Sequence, residues 1–234
     1  MRGSIWGSLI LLAIIAAVAL TLMPGSPLPR EWNVTKRLYI SDPVTLLTPY
    51  KLSSAADDED LCPQVLAAAG VSFEAQPDLV KTAQCGIKSR VVLRGVGASA
   101  LAPVETRCAV ALRLAMWERH GVQPAAKRHL GVGVSKIEHF SSYNCRQIRT
   151  TGGNGGRMSL HATAEAIDIS GFRLSDGRHV TLTRDYFGQP DRAAFLVDVR
   201  NSACQWFETT LGPEYNSLHH DHFHLQSRGW GTCR

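Results

Sequence analysis

Apolar residues run almost unbroken at the amino end and then split into short periodic groups. From Ile5 to Met23 the chain is apolar except for Ser8 and Thr21, a length close to the ~20 residues that a helix needs to cross a bilayer. An uncleaved anchor is the favoured reading. Its rival is a cleaved signal peptide, with Ala17-Val18-Ala19 as the cleavage site, which would strand Leu20, Leu22 and Met23 on the mature end. Arg2 on one side and Arg30, Lys36 and Arg37 on the other leave no clear charge bias to orient a span. Either route exports the rest of the chain.

The pattern divides the sequence into residues 1–23 as anchor or signal, 24–56 as linker or tether and 57–234 as a folded domain. Pro24 to Pro29 (PGSPLP) is turn-prone, and residues 30–56 show no clear period, as in an extended tether or an arm over the domain. Asp57 to Asp60 reads as a solvated helix start, and Leu61 onward as a short helix ended by Gly70. Val91-Val92-Leu93 is an expected strand. Val104, Cys108, Ala111, Leu112, Ala115 and Met116 recur at helical spacing, predicting a helix from Pro103 to His120 that stops at Gly121. Gly131 to Tyr143 predicts a strand in which His139 is structural or exposed. Ala166–Leu174, a turn at Asp176-Gly177 and Arg178–Thr183 read as a hairpin. A helix from about Asp191 to Leu211 follows, stopped by Gly212-Pro213. Helices and hairpins in this order predict an α+β domain built on an antiparallel sheet with flanking helices.

Composition narrows the function. A net charge of +5 over 234 residues, with no basic run interleaved with aromatics, argues against nucleic acid. The glycine-rich loop Thr151–Gly156 lacks the Lys-Ser/Thr of a phosphate loop, which argues against a nucleotide. Six cysteines without a CxxC pair disfavour a zinc finger and fit three disulfides in an oxidising compartment. Of the fifteen pairings the sequential one is expected, its last bridge being Cys204 to Cys233.

Candidate chemistry gathers in His219-His220-Asp221-His222-Phe223-His224. Read as a strand, His222 and His224 share a face while Phe223 and Leu225 enter a core. Upstream, His161 precedes a strand on which Asp168 shares a face with the small Ala166 and opposes Ile167 and Ile169. A continuous helix would part His161 from Asp168 by about 10 Å, too far for bonds of about 2.0–2.2 Å to one ion. The chain must therefore turn between them, near Ala162 to Glu165. His161, Asp168 and His224 then form a donor set suited to Zn²⁺, with a fourth position left for water as in catalytic sites.

The pattern SxHxxxxAxD followed by HxxHxH resembles the zinc peptidases of the lysostaphin, D-Ala-D-Ala-peptidase and hedgehog group. From about Leu61 to Arg234 the chain more closely resembles the bacterial extensin-like C-terminal domain family. The residues that carry this are Cys85-Gly86, Gln123-Pro124-Ala125-Ala126, Tyr143-Asn144-Cys145-Arg146, Ser159-Leu160-His161-Ala162 and Asp221-His222-Phe223-His224. The resemblance implies His161, Asp168 and His224 as metal ligands, His222 beside the metal steadying an oxyanion, and His219 assisting proton transfer. The peptidase motif usually has glycine where this chain has Ala164. The glutamate base of some members has no clear counterpart: Glu165 should face away, and Glu214 is a loose candidate. Strand alternation would favour His220 over His219, which leaves the base open.

The expected function is a zinc-dependent hydrolase, a peptidase or amidase on peptidoglycan peptides, with Arg146 or Arg157 holding a substrate carboxylate or offsetting the oxyanion. It would sit on the bacterial inner membrane with its domain in the periplasm, or be secreted. The alternatives are a cell-wall binding module with a structural or vestigial zinc site, and a periplasmic metal store.

Overall fold

The computed structural model describes residues 2–150 and 152–234. Helix α1 (Arg2–Leu22) carries the apolar run, and its window Ile5–Leu22 has mean hydropathy 2.5 and no residue buried against the rest of the molecule. It is an apolar helix of signal or anchor type. Residues 30–56 lie on the domain. Leu38 and Ile40, with Leu52 and Ala55 of α2 (Thr48–Asp57), enter the main core.

Helix α3 (Leu61–Ala68) is followed by strands β1 (Ser72–Ala75), β2 (Leu79–Thr82), β3 (Cys85–Ile87), β4 (Arg90–Val96) and β5 (Ser99–Arg107). Next come α4 (Cys108–Trp117), a π-turn at Glu118–Val122, α5 (Gln123–Leu130) and β6 (Val134–Ser141). After β7 (Gln147–Thr150), β8 (Gly153–Met158), a 3-10 turn (Leu160–Thr163) and β9 (Ala166–Leu174) come β10 (His179–Thr181), α6 (Leu182–Asp185) and α7 (Pro190–Ala203). The chain ends with β11 (Thr209–Leu211), a 3-10 turn at Ser217–His219, β12 (Phe223–Gln226) and β13 (Thr232–Cys233). Nine strands form one sheet in the order β1-β4-β5-β6-β9-β12-β11-β13, with β10 added to β9. The sheet is mixed rather than antiparallel, because β5 runs parallel to β6 and β11 to β13.

Helix α4 is apolar except for Arg113, and nine of its ten residues are buried, Ala109 being half-buried, as expected of a helix enclosed by its own domain. Trp117 closes its end, donating from Nε1 to the Val199 carbonyl at 3.0 Å and meeting Phe172 edge-on. The helix begins later than its spacing suggests. Val104 and Pro103 belong to β5, where Pro103 falls in the register slip against β4 between Leu93 and Gly95; a slipped segment tolerates the missing N–H. Gly121 is not a stop either, since the π-turn carries the chain on into α5. A Cβ on Gly121 would come within 2.3 Å of Ser202 Oγ on α7, so glycine permits that close packing.

Two further expectations change. Helix α7 ends at Ala203, and residues 209–211 form a strand because Leu211 pairs with His224. Most of the glycine-rich loop is hairpin β7–β8; Thr151 lies outside the described residues. The disulfides are Cys62–Cys108, Cys85–Cys145 and Cys204–Cys233. Only the last follows the sequential order. The first two cross because β4 and β5 carry Cys108 back beside α3, leaving Cys85 to reach Cys145 near the hairpin.

Candidate metal centre

The centre lies where β9 and β12 pair. Their antiparallel register sets Asp168 opposite His224, Ile167 opposite Leu225 and Ile169 opposite Phe223. The apolar members are fully buried, so packing locks this register: a one-residue slip would turn Asp168 and His224 into the core.

The segment before β9 supplies His161. Ser159 caps a 3-10 turn, its Oγ accepting from the His161 N–H, and the turn ends at Ala164 with φ 50° and ψ 32°. This left-handed conformation strains any residue with a Cβ, and a glycine at this position would be free of that strain. Beyond the turn Glu165 points away. Its side chain is 6% exposed by area, joined to Arg107 at 2.5 Å and Arg228 at 3.2 Å.

Three donors meet as a result. His161 Nε2 lies 3.2 Å from Asp168 Oδ2 and 3.2 Å from His224 Nδ1, and His224 Nδ1 lies 2.7 Å from Asp168 Oδ1. Tetrahedral bonds of about 2.0–2.1 Å put neighbouring donors about 3.3 Å apart, so the spacing fits one zinc-sized ion. The tautomers can fit as well. His161 Nδ1 donates to the Ser142 carbonyl at 2.7 Å, which leaves the Nε2 lone pair directed at the cluster, the usual support of a ligating imidazole. Buried Ser142 is fixed in turn, its hydroxyl donating to the Ala166 carbonyl at 2.7 Å and lying 2.7 Å from Thr106 Oγ1. Gln226 lies against His224 Nε2 at 2.6 Å. It is the amide nitrogen that lies there, and Nδ1 donates to Asp168; turning the amide so that its oxygen accepts from Nε2–H frees Nδ1 for an ion.

Burial and charge set the protonation states. Burial pushes the Asp168 carboxyl up, but hydrogen bonds and charge from His161 and His224 outweigh it and hold the group well below the usual carboxylate range. Burial pushes the His224 ring down, partly opposed by Asp168. His219 is pushed down to about 4 by burial first and then by His224 and His222. A neutral imidazole beside an ionised carboxylate is the state that binds metal.

His222 and His219 stand at the edge of this set. Strand β12 starts only at Phe223, so His219 and His220 do not alternate along it. The turn at Ser217–His219 swings His219 to the cluster and leaves His220 exposed, its Nδ1 on the Ser217 carbonyl at 2.8 Å. His219 Nδ1 donates to Asn216 Oδ1 at 2.7 Å, and His222 Nδ1 to Asp221 Oδ1 at 2.8 Å. His222 Nε2 is 3.6 Å from Asp168 Oδ1, and the exposed Phe140 packs edge-on against its ring. Phe140, Asn216, Gln226 and the Ser142 carbonyl escape a sequence reading. The signal at Asn216 was its capping type ahead of Ser217; a backbone carbonyl leaves none.

The arginines divide. Arg146 is half-buried beside the hairpin and close enough to Asp168 to feel its charge; burial lowers its pKa first, then Arg149, with Asp168 opposing. Arg157 is exposed on β8 and touches no member of the cluster. Glu214 is paired with Arg200 at 2.9 Å and does not join the centre.

Among the described residues two donor sets could hold a metal: His161, Asp168 and His224, and His219, His222 and His224. Three disulfides and the apolar helix α1 point to a location outside the cytoplasm. No curated protein and no solved structure matches the chain. Residues 60–234, from the start of α3 through the centre to the last residue, match the family described as extensin-like protein C-terminus, and the chain belongs to that family.

Proposed function

We propose that this chain is a zinc-dependent peptidase or amidase acting on the stem or cross-link peptides of peptidoglycan. It would work in the periplasm, held to the bacterial inner membrane by α1 or secreted after cleavage. The observation that carries the reading is the donor triangle of His161, Asp168 and His224, whose spacing and tautomers suit one Zn²⁺ with a position to spare. The sequence likeness of the paired motifs to hedgehog and D-Ala-D-Ala-peptidase-type enzymes supports the choice of reaction.

Zinc bound there would act as a Lewis acid on a scissile carbonyl and acidify a water towards neutral pH. The protein's part is orientation and proton handling. Asn216 holds His219 so that its Nε2 lone pair can accept a proton and return it to the leaving amine. Asp221 holds His222 by Nδ1, and with Nε2 also protonated the ring would donate from Nε2 to a developing oxyanion. Arg146 would hold a substrate carboxylate at the rim, with Arg157 a second, more distant candidate.

One observation favours the alternative of a wall-binding module with a structural metal. Both candidate glutamates are tied up in ion pairs, Glu165 with Arg107 and Arg228 and Glu214 with Arg200, so proton transfer falls to histidine alone. Incubating the purified chain with cross-linked muropeptides separates the readings. New amine termini mean a hydrolase, while co-sedimentation without cleavage means a binder. His161→Ala should remove the tightly bound zinc and hydrolysis together; tight zinc retained at full stoichiometry would sink the assignment.

A further inference from the structure

Five side chains converge where a single ion with an open position uses three. His219, His222 and His224 form a set of their own, one nitrogen from each within 4.8 Å of the others, sharing only His224 with the first set. The rings are close: centroids of His219 and His222 are 5.2 Å apart, and those of His219 and His224 5.7 Å. Each added histidine has its Nδ1 committed to a side-chain oxygen, Asn216 for His219 and Asp221 for His222. That leaves two Nε2 lone pairs without a protein donor, held by the same support that His161 has.

Asp168 can serve both sets, because its oxygens look different ways. Oδ2 faces His161 Nε2 at 3.2 Å, whereas Oδ1 lies 2.7 Å from His224 Nδ1 and 3.6 Å from His222 Nε2. A carboxylate with one oxygen towards each of two imidazole groups can bridge two ions.

We infer that the centre takes a second divalent cation of the zinc class on His219 and His222, completed by Asp168 Oδ1, while His224, with a single free lone pair, stays with the first ion. The second ion binds more weakly. His219 and His222 are more exposed than His161, and one bridging carboxylate must offset the repulsion of two dications. A regulatory consequence rests on the hydrolase reading above. An ion on His219 and His222 occupies the nitrogens which that reading uses to move the proton and face the oxyanion, so excess zinc inhibits.

Metal counting on the full chain in detergent tests the site without relying on activity. Metal-free protein titrated with Zn²⁺ should take up two equivalents, the second at least about tenfold more weakly. His219→Ala and His222→Gln should each keep the tight equivalent and lose the weak one, with near-ultraviolet circular dichroism checking the fold. His220→Ala, outside the cluster, should keep both. A single equivalent in the wild type, lost in His161→Ala, overturns the second site and leaves the hydrolase reading standing. No equivalent in the wild type overturns both. A second equivalent that survives both His219→Ala and His222→Gln, or vanishes with His220→Ala, makes it adventitious binding to a histidine tract.

Discussion

Asp168 and His224 stand directly opposite each other across β9 and β12, joined at 2.7 Å between Oδ1 and Nδ1. The pair therefore inherits the precision of a sheet register rather than that of a loop. Asp168→Asn keeps the shape and removes the charge. We expect zinc affinity to fall by more than the roughly 10–100-fold typical of losing an outer-shell contact, and the melting temperature of metal-free protein to fall as well, because the charge that His161 and His224 stabilise is lost. Equilibrium dialysis against a chelator reads this; unchanged affinity would rule Asp168 out as a ligand.

Glu165→Gln probes the base. The carboxylate is bound to Arg107 and Arg228 on the far side of the turn, so the substitution should cost about 1–3 kcal/mol of stability and leave zinc stoichiometry at the wild-type value. Loss of muropeptide cleavage in folded, zinc-loaded protein would hand the proton-transfer role to Glu165 and take it from His219.

Ala164 holds a left-handed conformation with its methyl fully buried. Replacing it with glycine relieves about 1–2 kcal/mol of strain and gives up about 0.8 kcal/mol of methyl burial, so stability should rise slightly or stay level. Ala164→Val adds bulk and β-branching where neither fits, and should cost about 2–3 kcal/mol and weaken zinc binding by displacing His161. A valine variant that melts and binds zinc like the wild type would contradict this.

The two crossed disulfides should separate stability from the site. Cys85–Cys145 closes 60 residues and ends one residue from Asn144, whose N–H donates to the His161 carbonyl at 2.9 Å. Removing it by a double serine substitution should cost up to about 4 kcal/mol and also lower zinc affinity. Removing Cys62–Cys108 should destabilise similarly but leave the affinity of the folded protein unchanged. Equal affinity losses in the two variants would show that neither bridge acts on the centre specifically.

Acid should weaken the domain through Asp185. Its side chain, 4% exposed by area, accepts from Arg184, Arg192 and the Thr181 N–H. Burial pushes its pKa up, and these donors outweigh burial and hold it below its ordinary value. A depressed carboxylate contributes stability that is complete above its unfolded pKa of about 3.9 and is lost as pH falls through the lower folded value. Asp185→Asn should flatten the stability profile in that acid range and cost about 1–3 kcal/mol at neutral pH. An unchanged slope would show that other carboxylates dominate.

The centre was more legible in the sequence than the fold around it. Phe223 and Leu225, alternating with His222 and His224, announce which face of a short strand is wet, and the seven-residue gap from His161 to Asp168 demands a turn. Local chemistry set both. The helix at 103–120 misled because strand residue Val104 happens to fall four before Cys108, and because Gly121 serves a neighbour across the fold. The parallel pairings of β5 with β6 and β11 with β13, and the crossed disulfides, depend on contacts far apart in the chain, which leave no short-range pattern. His219 owes its place to Asn216 and a 3-10 turn, and alternation pointed to His220 instead.

The joint between α1 and the domain limits reach. The Asn33 amide donates to the Met23 carbonyl at 2.7 Å, Val34 N–H to the Thr21 carbonyl at 3.0 Å, and Lys51 Nζ to the Asn33 carbonyl at 3.3 Å. With α1 seated in a bilayer, these bonds pin the globule to the lipid surface, so its working radius is about its own girth, roughly 30–40 Å for a body of this length. On the proposed peptidoglycan reading, only the wall strands closest to the membrane would pass within its grasp, and a longer leash at residues 24–33 would widen that shell.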